Sequence, residues 1–122
     1  MKPKDQQEFV AWHESMHEFK KFNFARLRDN LGVFFAEKRE HAERYGTTKR
    51  YRLAFKNLLC VRQGREYAET VSMRSDEKCG CDVRRRLIKA GYDGIRIEYS
   101  GGAVDYVAFS NRSIKPMPHE IN

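Results

Sequence analysis

The sequence has little that would suit an oxidising compartment, a metal centre or a membrane. Among its 122 residues there are only three cysteines, Cys60, Cys79 and Cys81. That is an odd number, and Cys79-Gly80-Cys81 leaves one residue between thiols where zinc and redox motifs commonly leave two. The cysteines are therefore read as reduced, not as the staples of a secreted scaffold. Histidine is also scarce, with His13, His17, His41 and His119 scattered out of metal-ligand spacing, so no metal is expected. No stretch approaches the ~18 apolar residues of a membrane span. The opening Met1-Lys2-Pro3-Lys4-Asp5-Gln6-Gln7-Glu8 lacks the apolar run of a secretory signal, and a cytoplasmic protein is expected. Proline is confined to the ends, at Pro3, Pro116 and Pro118. Residues 1–7 and 116–122 accordingly read as tails and residues 8–115 as the domain, with no internal repeat or low-complexity stretch.

What is present fits one small domain. Apolar residues make up 40% and charged residues 34%, enough for a single modest core in a chain too short for two ordinary domains. Lysine and arginine number 24 against 17 aspartates and glutamates, a net charge of +7. That balance favours an acidic partner, whether nucleic acid, an acidic protein face or a phosphorylated small molecule; a solvated surface that keeps a small protein soluble is the plainer alternative.

Local patterning predicts a mixture of strands and helices. Phe9-Val10-Ala11-Trp12 is a short apolar run suited to a strand that delivers His13 to its end. Phe19, Phe22, Phe24 and Leu27 are interleaved with basic residues, in a loop or one helical turn. Leu31 to Ala36 is a second apolar run, followed by a helical pattern with Ala42 and Tyr45 and a stop at Gly46. The early alternation within Tyr51 to Val61 suggests a strand, and residues 62–81 are ambiguous. Asp82 is placed to cap a helix in which Val83, Leu87 and Ile88 share a face, Arg84, Arg85, Arg86 and Lys89 are mostly solvated, and Gly91 is the stop. Ile95, Ile97 and Tyr99 then alternate with Arg96 and Glu98, a Ser-Gly-Gly-Ala turn follows, and Val104 to Phe109 forms the returning strand of a β-hairpin.

Three blocks, in order, resemble small bacterial and phage ADP-ribosyltransferases related to the poly(ADP-ribose) polymerases. His13-Glu14-Ser15 with Phe19 and Phe22 is similar to their His-Gly-Ser/Thr opening. Gly32-Val33-Phe34-Phe35-Ala36 with Ala42 and Tyr45 is similar to their Gly-x-Tyr-Phe block and its alanine-bearing helix. Ala90-Gly91-Tyr92-Asp93-Gly94-Ile95, Asp105-Tyr106-Val107-Ala108-Phe109 and Ile114-Lys115 are similar to their closing Gly-Tyr-Asp-Gly, Glu-Tyr-Val-Val-Phe and Ile-Lys elements. The likeness spans His13 to Lys115 apart from roughly residues 47–81.

The resemblance implies an α+β fold of split antiparallel or mixed sheets with short flanking helices and a C-terminal hairpin. It also implies NAD as substrate and transfer of ADP-ribose to a macromolecular target, protein or nucleic acid. By the same resemblance His13 would bond the adenosine-side ribose, and the Glu14 backbone and Ser15 hydroxyl would hold the carboxamide. Phe34 would stack on the nicotinamide ring, and Asp105 would be the catalytic carboxylate with His13 beside it.

The departures are chemically specific. Glu14 stands where the family has Gly, Phe34 where it usually has Tyr, and Asp105, one methylene shorter, where it usually has Glu. Displacing a catalytic group by ~1 Å can cost ~100-fold in rate, so Glu98 on the preceding strand is the rival carboxylate. A module that binds NAD or ADP-ribose without turnover, and a basic nucleic-acid-binding domain, are the competing readings.

Overall fold

The computed structural model describes residues 7–14, 31–38 and 48–117. Their order is β1 (Gln7–Glu14), β2 (Val33–Ala36), β3 (Thr48–Phe55), β4 (Leu58–Arg62), α1 (Arg65–Val71), α2 (Gly80–Lys89), β5 (Gly94–Glu98), β6 (Val104–Ala108), a 3-10 turn (Asn111–Ser113) and β7 (Ile114–Pro116). The seven strands form one sheet in the order β4-β5-β6-β2-β1-β3-β7. Every neighbouring pair is antiparallel except β4 and β5. That parallel pair needs a crossover, and α1 and α2 supply it.

This architecture corrects the expected fold class. The described structure is mostly β, with two helices on a continuous mixed sheet, in place of the split sheets of an α+β ADP-ribosyltransferase domain. The physical reason is β2, which hydrogen-bonds to β1 on one side and β6 on the other and so joins the two halves edge to edge.

The sheet separates two apolar clusters. On one side, here the helix face, Val83 and Leu87 of α2 pack on Val61, Ile95, Ile97, Val107 and Phe109. The fourfold spacing of Val83 and Leu87 aligns them on one side of the helix. On the opposite, far face, Ala11, Val33, Phe35, Tyr51, Leu53, Phe55, Tyr106 and Ala108 form the second cluster. Each fully buried aliphatic or aromatic side chain of this kind contributes about 1.5–3 kcal/mol.

Several local expectations are revised by tertiary contacts. The apolar run from Tyr51 to Val61 is two strands, broken at Lys56-Asn57. Asp93 holds that turn, its carboxylate accepting from the Lys56 N–H at 2.7 Å and the Asn57 N–H at 3.0 Å. Asp82 lies in the first turn of α2, with Cys79 at the N-cap position. Arg86 is no solvated residue: its guanidinium meets Glu77 at 2.8 Å and donates to the Ser72 carbonyl at 3.1 Å, clamping the α1–α2 connection. That contact holds the Glu77 carboxyl below its usual range, so the stability it contributes is lost as pH falls through the lowered value. Cys79 and Cys81 are joined in a disulfide, correcting their reading as reduced, while Cys60 is free and exposed. Among the described residues no helix is long and apolar enough to cross a membrane. The helix expected after Glu37 and the aromatic segment from Phe19 lie outside the described residues.

Gly94 shows why the Gly-Tyr-Asp-Gly motif has its composition. A Cβ built there would lie 2.4 Å from a ring carbon of Phe55 and 2.7 Å from the Val107 carbonyl oxygen. Gly94→Ala is therefore expected to destabilise the fold by about 1–3 kcal/mol in urea denaturation. Gly101→Ala, at a site with nothing within 4 Å, should stay within about 0.5 kcal/mol of the wild type.

Candidate functional site

Residues 13, 34 and 105, distant in the chain, lie on three adjacent strands, β1, β2 and β6. The registers put Trp12 opposite Ala36, Ala36 opposite Asp105, and Phe34 opposite Val107. His13, Phe34 and Asp105 thus fall within one residue of the same level across the sheet.

The pleat divides them between the two faces. His13 projects to the far face, with ring centroids 5.3 Å from Phe35 and 6.4 Å from Tyr51. Phe34 and Asp105 share the helix face as diagonal neighbours, a relation that separates Cα atoms by roughly 7–8 Å. Phe34 is 39% exposed. His13 remains tied to this group because its Nδ1 lies 2.9 Å from the Phe34 carbonyl oxygen, a contact in which Nδ1–H donates. Glu14 ends β1 opposite Thr48. Ser15, expected at the carboxamide, lies outside the described residues.

Asp105 has a hydroxyl partner that sequence reasoning missed. The Tyr99 Oη–H donates to its carboxylate at 2.8 Å, and the Asp105 charge also acts on Tyr67 of α1. Burial, followed by the hydrogen bond to Asp105 and its negative charge, pushes the Tyr99 hydroxyl well above the ordinary tyrosine range. Burial and then Asp105 likewise raise Tyr67. Both phenols therefore stay protonated at neutral pH, and Tyr99 is a fixed donor beside the carboxylate. The available signal was parity: Ile95, Ile97 and Tyr99 alternate onto one face, and Ile97 pairs with Asp105.

The rival carboxylate belongs to the other side. Glu98 is opposite Val104, on the far face, where it forms an ion pair with Arg96. The Arg96 and Glu37 charges also act on the Tyr106 hydroxyl. Glu98 thus shares a face with His13, whereas Asp105 shares one with Phe34. The Asp82 carboxylate lies near the sulfurs of Cys79 and Cys81, but those sulfurs are bonded to each other, and Asp82 accepts from the Lys78 N–H at 2.9 Å.

No family model matches the chain, and no curated protein does. Among solved structures, the fold is similar to that of an anti-CRISPR protein, with a TM-score of 0.53 and 18% identity over 95% of this chain and 100% of that one. A likeness at this identity concerns the fold.

The Tyr99 hydroxyl, raised first by burial and then by Asp105, has a pH signature. A phenol with a raised folded pKa contributes stability that is complete below the unfolded value of ~10 and is lost as pH rises through the folded value. Denaturation between pH 9 and 12 should show this loss in the wild type and a shallower one in Tyr99→Phe. Equal slopes would show that folding does not raise the Tyr99 hydroxyl.

Proposed function

We propose that this protein binds NAD and transfers its ADP-ribose to a macromolecular target. What supports the reading is that Phe34 and Asp105 share one face of two neighbouring strands, with Phe34 accessible and Asp105 set against the Tyr99 hydroxyl. The Phe34 ring stacks on the nicotinamide, and the Asp105 carboxylate lies against the adjoining ribose. His13 acts as a positioning residue, holding the Phe34 backbone from the far face.

In the reaction, the bond between ribose C1′ and the nicotinamide nitrogen breaks, and its electron pair neutralises the departing pyridinium. Positive charge develops on the ribose, and a carboxylate placed nearby stabilises it more in the transition state than in the ground state. An acceptor nucleophile then bonds to C1′ and releases its proton to water. Tyr99, held protonated, fixes the carboxylate orientation without neutralising it. The likeness of fold to an anti-CRISPR protein supports seeking the acceptor among components of CRISPR immunity.

Incubation with labelled NAD and bacterial lysate should transfer label and release nicotinamide. Asp105→Asn is expected to keep NAD affinity while losing about 100-fold or more in turnover. Phe34→Tyr should remain active and Phe34→Ala should not, and His13→Ala should weaken NAD binding with the fold retained. Absence of both label transfer and nicotinamide release from the wild type sinks the proposal. Loss of turnover in Glu98→Gln with Asp105→Asn unaffected would move the chemistry to the far face.

A further inference from the structure

The described helices cover the helix face unevenly. Helix α2 packs over β4, β5 and β6, while none of the described helices packs on the same face of β1, β3 and β7. There the registers assemble a basic and aromatic surface. Val10 lies opposite Arg52, Arg52 opposite Lys115, and Trp12 opposite Arg50. Directly paired residues project to one face, so these five side chains share a patch. Val10 is 41% exposed, Arg52 and Lys115 are exposed, and Trp12 is half-buried. Glu8, opposite Ala54, and Glu14, opposite Thr48, are the acidic residues of β1 at the register positions that bound the patch at its two ends.

We infer that this open half of the sheet face binds single-stranded nucleic acid, independently of any action on NAD. Two exposed cations paired across neighbouring strands, Arg52 and Lys115, suit a phosphate backbone, and the net charge of +7 adds a long-range attraction of the same sign. An acidic protein surface would satisfy the cations equally well. The aromatic component separates the two: a flat sheet offering an indole beside a guanidinium stacks unpaired bases of any sequence, whereas duplex bases are occupied with one another. A plain structural role covers less. Lys115 on an edge strand would discourage edge-to-edge association by itself, but that role does not require Arg52 and Arg50 in the interior of the sheet face.

Trp12 is the only tryptophan in the chain, so its fluorescence reports directly on this patch. Titration with a 15-nucleotide oligothymidylate should quench it saturably, with affinity falling as salt rises at a logarithmic slope of about −1.4, as expected for two neutralised phosphates of a single strand. The exposed pair Arg52→Glu/Lys115→Glu, verified as folded by its thermal transition, should weaken binding at least tenfold and flatten the salt slope. Three outcomes overturn the inference: no quenching and no binding by the wild type, unchanged binding by the double variant, or polyglutamate binding as tightly as the oligonucleotide. None of these measurements contains NAD, so their failure leaves the transferase reading untouched, and failure of NAD turnover leaves this one untouched.

Discussion

Four residues, Val33 to Ala36, carry the backbone hydrogen bonds that turn two half-sheets into one. Towards β6 the ladder is complete, from Val33 opposite Ala108 to Ala36 opposite Asp105. Towards β1 the register rests on Trp12 opposite Ala36, and the His13 imidazole adds a side-chain bond to the Phe34 carbonyl beside it. The close approach of β2 to β6 is enforced at its entry, where a Cβ on Gly32 would lie 2.4 Å from the Ala108 carbonyl oxygen. Phe35 anchors the joint on the far face, edge-on to Tyr51 with ring centroids 5.5 Å apart. The far-face core and the candidate site both depend on this short strand.

Elements with strong local periodicity were legible in the sequence. The spacing of Val83 and Leu87, and the alternation of Ile95, Ile97 and Tyr99, are consequences of burying one side of a helix and one face of a strand. Features set by partners distant in sequence were not. Asn57 is the one local turn signal at Lys56-Asn57, and the group that holds the turn, Asp93, comes 36 residues after Asn57. Arg86 reads as one more solvated arginine until Glu77 and the Ser72 carbonyl are brought to it. The short β7 lacks any pattern of its own and exists because β3 offers it an edge. The Gly-Tyr-Asp-Gly motif, which carried much of the family resemblance, is accounted for by folding: Gly91 takes a positive φ of 105° after α2, Asp93 braces a turn, and Gly94 leaves room for Phe55.

The candidate site was legible as a set of residues but not as a geometry. Parity within each strand was readable, since neighbours along a strand point to opposite faces. The faces of different strands become comparable only through the registers, and a shift of one residue would exchange them. With Trp12 opposite Ala36 and Ala36 opposite Asp105, the odd-numbered His13 falls with Phe35, and Phe34 falls with Asp105. The imidazole that the resemblance assigns to a ribose is thereby engaged with a backbone carbonyl. Tyr99, which carries no such assignment, is the side chain that meets the carboxylate.

Position along the helix face gives Asp105 and Phe34 complementary environments. One row on that face runs from Arg50 through Trp12 and Ala36 to Asp105 and Ile97, crossing from the half on which none of the described helices packs to the half that they cover. Asp105 lies at the seam, close enough to α1 for its charge to act on Tyr67 and half shielded from water. Phe34, one strand towards the open half, keeps an accessible ring. A carboxylate is most effective on developing charge where water is excluded, while a stacking ring must be reachable by its ligand. The uneven cover that the described helices give to a single continuous sheet sets both environments within two adjacent strands, where the family resemblance implied split sheets.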